Sequence, residues 1–281
     1  MAGTVSTGIR KLDETLGGGI IRGSIIVLIG EPGTGKTSLI RNFVKAGLDG
    51  GDTCIYLMTN RSLDHVLAST ANTGWNVGEA QNLKFMLYNG VVTKRVKSFV
   101  GNFEDLIDVA YNCERLVSST EPGRARMVID DLSYMFLINN KDVIFKFLNR
   151  MCQILREHEV TCLLELQRGM FDPQIVTALE SITDGTIETR RQGDKRSFRV
   201  SRMEGVASHN DWVDLSFASG TGLGIEAEKT LDEWENIIGK DESKRNDEDV
   251  SNKLVALKQA RKKEPNKEPN KEPKKKRFFR F

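Results

Sequence analysis

No stretch of the 281-residue chain approaches the ~18 consecutive apolar residues that a membrane-spanning helix requires. The opening residues, MAGTVSTGIRKLDETLG, lack the basic-then-apolar layout of a secretory signal, so a cytoplasmic protein is expected. Cysteine is scarce: Cys54, Cys113, Cys152 and Cys162 are widely spaced, with no C-x-x-C pair. Together with three isolated histidines (His65, His158, His209) this excludes a zinc site of ordinary spacing and leaves the cysteines as small buried residues. What remains is ordinary globular composition, 39% hydrophobic and 28% charged, long enough for one sizeable domain and an appendage.

The formal net charge of +2 hides an asymmetry. Residues 240–281 carry fifteen Lys or Arg against eight Asp or Glu, a balance of +7, which leaves −5 on the first 239. The tail also repeats KEPNKEPNKEP, a unit with nothing to bury and with prolines that forbid a continuing helix. Residues 1–239 are therefore expected to form the folded domain and 240–281 a charged disordered tail, with short helix over SNKLVALKQARKK.

Along the body, apolar strand-like runs alternate with helical spacing. SIIVLIG, CIYLM, LKFMLYNG, RMVIDDLS and TCLLELQ read as strands. TSLIRNFVKAGLDGG, LDHVLASTANTGW, DLIDVAYNCERLV and KDVIFKFLNRMCQILREHEV read as helices. Continuous rather than alternating apolar runs suit strands covered on both faces, and βα alternation argues a parallel, doubly wound α/β sheet. SFRVSRM alternates like an edge strand or hairpin element, and TLDEWENIIGK like one amphipathic helix.

Between the first strand and its helix lies GEPGTGKT, which fits G-x-x-x-x-G-K-[ST] in the required strand–loop–helix setting. Glycines let backbone N–H groups turn onto phosphate oxygens, and the helix aims its positive end there. The nucleotide-binding set is Gly30, Glu31, Pro32, Gly33, Thr34, Gly35, Lys36, Thr37 and Ser38, with Lys36 on the outer phosphates. Thr37 is the expected Mg²⁺ ligand, with Asp130, at the end of MVIDD, holding the ion through water.

STGIRKLDETLGGGIIRGSIIVLIGEPGTGKTSLIRNF resembles the opening of the KaiC/RadA branch of the RecA superfamily. The matching pieces are Ser6-Thr7-Gly8-Ile9, Leu12-Asp13, Gly17-Gly18-Gly19 and Gly23. The likeness continues through VIDDLS and ITDGTIE, over roughly residues 5–225. It implies a RecA-like P-loop fold, ATP with Mg²⁺ at the carboxyl ends of the strands, and a homo-oligomer, in relatives usually a hexamer, with nucleotide between subunits. Arg202, in RVSRMEG, matches a position from which a basic residue reaches the neighbour's γ-phosphate. Glu204 stands where a second basic residue is common, which weakens that contact; a plain exposed strand charge is the alternative for Arg202.

In active relatives the strand after the phosphate-loop helix ends in a pair of glutamates, one of which polarises the attacking water. Here CIYLMTNRS puts Asn60 and Arg61 on that pattern, and neither accepts a proton at neutral pH. Glu165, near the end of TCLLELQ, is the remaining candidate base, with Gln167 beside it. The expectation is an ATP binder with slow hydrolysis. A comparable departure within the branch, the archaellum motor's accessory ATPase, makes an archaeal regulatory or signalling role the implied context. The competing readings are an active ATPase or autokinase, and a recombinase-like DNA binder. For the basic, aromatic KKKRFFRF end, a protein partner ranks first, an anionic membrane surface second and nucleic acid third.

Overall fold

A computed structural model of the chain describes residues 3–71, 80–87, 98–100, 105–206 and 209–215. Contacts group the chain into Met1–Ala227 and Glu228–Phe281, and every described residue belongs to the first unit. The charged tail, TLDEWENIIGK and the hydroxyl-rich SFASGTG lie outside the described residues.

The elements run β1 (Thr4–Val5), α1 (Arg10–Thr15), β2 (Ile20–Ile21), β3 (Ile25–Gly30), α2 (Lys36–Asp49), β4 (Thr53–Met58), α3 (Leu63–Ala71), β5 (Leu83–Leu87) and β6 (Ser98–Val100). They continue with α4 (Leu106–Val117), β7 (Ala125–Asp130), α5 (Leu132–Ile138), α6 (Lys141–Glu157), β8 (Thr161–Gln167), α7 (Pro173–Ile182), β9 (Gly185–Gln192), β10 (Lys195–Met203) and β11 (His209–Leu215).

Nine strands form one sheet in the order β11-β10-β9-β3-β8-β7-β4-β5-β6. From β9 to β6 every pairing is parallel, whereas β10 and β11 are antiparallel additions. The strand carrying the phosphate loop, β3, is thus central, between β8 and β9.

Its continuous apolar sequence has a direct cause. Ile25, Val27 and Ile29 face one core with α4, α5 and α6, while Ile26 and Leu28 face the other with α2. Helix α2 buries Leu39, Ile40, Phe43 and Val44, the stripe its spacing predicts. Helix α6 starts where Asn140 accepts a hydrogen bond from Asp142 N at 2.8 Å, and it buries Ile144, Phe147, Leu148, Met151 and Leu155. Helix α3 buries Leu63, Val66 and Thr70. The four cysteines are buried and unbridged, and burial pushes the thiols of Cys54 and Cys113 up to about 12.

The Ser-Thr-Gly-Ile and Leu-Asp signature proves to be one hydrogen-bonded unit. Ser6 Oγ donates to Asp13 Oδ2 at 2.6 Å and Thr7 N to Asp13 Oδ1 at 2.7 Å, while Leu12 is wholly buried. Gly19 is required because its φ is +120° and a Cβ would stand 2.3 Å from Val5 O.

SFRVSRM, which reads as an edge strand or a hairpin element, is the latter. It forms a hairpin with β9, but it is not an edge: β11 pairs along its other side. β9, β11, α5 and α7 were not singled out from sequence. Each is short or mixed in pattern, and its pairing or packing partner rather than its own periodicity fixes it.

Candidate phosphate-binding cleft

At the carboxyl ends of β3, β4, β7 and β8 lies a cleft of about 460 Å³, lined by Pro32, Gly33, Lys36, Thr37, Arg61, Asp131 and Glu165, with Gly35, Ser38, Gln167 and Arg196 completing it. The loop is tight for a steric reason. A Cβ on Gly30 would stand 2.1 Å from Thr189 Oγ1, and Gly33 and Gly35 hold φ of +77° and +104°. Thr34 Oγ1 bonds Glu31 O and lies 2.8 Å from Thr189 Oγ1, which ties the loop to β9.

Lys36 is buried, and its ammonium donates to Gly30 O at 2.8 Å and Glu31 O at 2.9 Å. Glu165 Oε1 lies 3.7 Å away. Burial lowers the lysine pKa, against the opposing pull of Glu165 and Asp131. Lys36 therefore rests on the loop's own carbonyls, within a side chain's swing of the cleft.

Asp130 ends β7 with no exposed surface, and its Oδ2 accepts from Tyr56 OH at 2.6 Å. Among the described residues, neither Asp130 Oδ1 nor Glu165 Oε2 has another side chain donating to it. Burial first, then the nearby Asp130 charge, raises the Glu165 pKa to about 8. Glu165 thus sits beside both Lys36 and Asp130. Thr37 Oγ1 and the Asp130 carboxylate are hard oxygen donors of the class Mg²⁺ takes, and a buried oxygen short of donors suits a hydrated cation. Among the described residues no cluster of three or more His, Cys, Asp or Glu offers a metal cage.

The two residues at the rim of β4 part company. Asn60 is exposed, with its amide 3.5 Å from Asp131 Oδ2. Arg61 turns into the cleft: Nη1 lies 3.6 Å from Asp130 Oδ2, and Nη1 and Nη2 each lie 3.4 Å from Thr37 Oγ1. Burial opposes its charge, but Asp130 and Glu165 outweigh that and raise its pKa. Asp131 caps α5 by accepting from Ser133 N at 2.9 Å and also borders the cleft.

Arg202 is not near its own chain's phosphate loop. It pairs with Thr186 of β9, which is level with Val27 in β3, and its guanidinium donates to the carbonyls of Glu180, at 2.7 Å, and Thr183, at the end of α7.

Two residues at the cleft escaped the sequence reading. Tyr56 lies inside an apolar run, where only the need of a buried phenol for a partner could have marked it. Arg196 donates to Gly33 O at 3.0 Å from a strand of unremarkable pattern, and no local signal marks it.

Residues 5–226 match the family model described as the KaiC ATPase. A UPF0273 protein of Thermotoga maritima is 26% identical over 217 residues, 72% of this chain and 88% of that protein. The circadian clock protein KaiC2 of Synechocystis is 26% identical over 239 residues, 79% of this chain but 39% of that longer protein. Among solved structures, a KaiC-like protein of Pyrococcus horikoshii OT3 superposes with a TM-score of 0.63 at 21% identity, covering 77% of this chain and 95% of that one. The fold is accordingly RecA-like α/β. No helix among the described residues is long and apolar enough to cross a membrane.

Proposed function

The chain belongs to the KaiC ATPase family, and from that premise we propose that it is a regulatory ATP-binding protein whose bound state matters more than turnover. Membership supports a nucleotide-binding, ATPase-type domain. The slow hydrolysis rests on one observation: Arg61, at the rim of β4 where a water-activating acid is wanted, turns its cation into the cleft.

In this reading the loop N–H groups and the positive end of α2 take the phosphates. Lys36 leaves the carbonyls of Gly30 and Glu31 for the outer phosphates. Thr37 and Asp130 would hold Mg²⁺, which supplies charge neutralisation at the β- and γ-phosphates. Arg61 steadies phosphate charge without removing a proton from water, so bound ATP persists.

Nucleotide at a subunit interface belongs to the same proposal. Arg202 lies away from its own loop, so a phosphate contact would be to a neighbour's, and its guanidinium must first leave the carbonyls of α7. The tail, residues 240–281, is proposed to meet a protein partner.

A second reading, a working ATPase with Glu165 as base, has a specific observation behind it: that carboxyl lies in the cleft, 3.7 Å from Lys36. Calorimetric titration with Mg·ATP and steady-state phosphate release separate the two. We expect binding by the wild type, none by Lys36→Ala, and turnover well below the ~10 s⁻¹ of a typical enzyme. Brisk turnover that disappears in Glu165→Gln would establish the second reading and overturn the first.

A further inference from the structure

The cleft contains a cation of its own at the place a divalent ion would take. An ion on Thr37 Oγ1 would sit about 2.1 Å from that oxygen, with its water reaching Asp130. The space between those two oxygens is held by the Arg61 head, 3.4 Å from Thr37 Oγ1 and 3.6 Å from Asp130 Oδ2. This is not a surface arginine resting by chance, since its side chain is 30% exposed and Asp130 is wholly buried. Tyr56 OH donates to the same Asp130 Oδ2 at 2.6 Å, which helps to fix the orientation of the carboxylate.

The head and the Lys36 ammonium line the same cleft. Two such cations suit two adjacent phosphates, and a guanidinium matches phosphate oxygens in pairs where an ammonium offers only a point charge. Mg²⁺ brought to Thr37 would have to displace the arginine or sit against its positive charge.

We propose that Arg61 stands in for the divalent cation, so that this chain binds the polyphosphate of a nucleoside triphosphate without requiring Mg²⁺, and that Mg²⁺ competes with Arg61 for Thr37 and Asp130. This rests on the nucleotide reading above and goes beyond it, because a phosphate-loop site with the ordinary pair of metal ligands binds its nucleotide as the metal complex.

The test is calorimetric titration of the full chain with ATP, once in EDTA and once in excess MgCl₂. The wild type is expected to show dissociation constants within about threefold of each other in the two buffers. Arg61→Ala should lose about 10- to 100-fold in EDTA, the usual worth of a charge-assisted contact, and recover when Mg²⁺ is added. Arg61→Lys, which keeps the charge but not the fork, should fall between them in EDTA. Wild-type binding that collapses in EDTA overturns the proposal while leaving the nucleotide reading intact. Equal binding by Arg61→Ala and wild type in EDTA overturns it as well. No ATP binding in either buffer removes both.

Discussion

Strands β4 and β7 carry an arginine–aspartate pair at each end, and the two pairs are built differently. At the amino end, Arg126 Nε meets Asp52 Oδ2 at 2.8 Å. The same guanidinium donates to Ser6 O at 2.6 Å and Phe43 O at 3.0 Å, and it stacks over the Phe43 ring at 4.9 Å. Arg124 closes on the other oxygen of Asp52 at 2.9 Å. At the carboxyl end, Arg61 approaches Asp130 Oδ2 at 3.6 Å, and among the described residues Asp130 Oδ1 has no hydrogen-bond partner. The amino-end pair is a staple: the Arg126 guanidinium is held at close range by Asp52 and two carbonyls, although Asp52 Oδ1 has only the ion-pair approach of Arg124. The loose pair faces an open cleft with bonding capacity in reserve. The charges are the same, and the closeness of the pair, 2.8 Å against 3.6 Å, together with the cleft beside Arg61, separates structure from binding.

The sharpest way to break this comparison is Arg126→Ala. Removing one member of a buried pair leaves Asp52 uncompensated apart from the partly exposed Arg124, a loss of about 3–5 kcal/mol and roughly 10 °C in Tm. Arg61→Ala, by contrast, should change Tm little and change nucleotide affinity instead. Thermal melts of both variants decide the matter, and equal losses would erase the distinction between the two ends.

Next in size is the return of an acid to the rim of β4. Asn60→Glu, Arg61→Glu or both should raise phosphate release about tenfold, short of the ~10²–10⁴ a positioned base supplies. The shortfall has two causes. Arg61→Glu places a third carboxylate near Asp130 and Glu165, and Asn60 is exposed with its amide towards Asp131 rather than towards Thr37 and Asp130. An unchanged rate in all three variants would mean that the missing acid is not what limits turnover.

The smallest effect concerns the proton on Glu165, the buried carboxyl whose pKa burial and Asp130 raise. The folded chain holds that proton up to about pH 8, whereas the unfolded chain releases it near 4.5. Wild-type stability from this group is therefore fully present below pH 4.5 and is lost as pH rises towards 8. Glu165→Gln has no proton to lose, so its Tm advantage over the wild type should widen by a few degrees between pH 5 and 8. A gap that stays constant across that range would remove the protonated Glu165 from the account of the carboxyl end.

Strands β3, β4, β5, β7 and β8, helices α2, α3, α4 and α6 and the phosphate loop were legible in the sequence because each is written in contiguous residues. SIIVLIG is buried on both faces wherever it lies in a sheet, and GEPGTGKT sets its own backbone through its glycines. The opening Ser-Thr-Gly-Ile and Leu-Asp pieces were legible as a pattern, although only the coordinates explain it as hydrogen bonds from Ser6 and Thr7 to Asp13. β10 was legible as an edge strand or hairpin element but the choice was not, because an amphipathic alternation says nothing about how many neighbours a strand has. It is the hairpin element, and β11 supplies the second neighbour.

What the sequence determined by itself was a parallel α/β sheet carrying a phosphate loop, and the lack of an acid at the end of CIYLMTNRS. Which way the substitutes for that acid point was decided only by the tertiary structure. Asn60 and Arg61 are adjacent and have nearly the same claim on the rim. Yet Arg61 finds Thr37, 24 residues upstream, and Asp130, 69 residues downstream, while Asn60 stays exposed beside Asp131. The reason is physical. A side chain settles by the charges that other strands bring within a few ångströms, and the register of β4 against β7, with Met58 opposite Asp130, is set by pairing between segments that no local pattern relates.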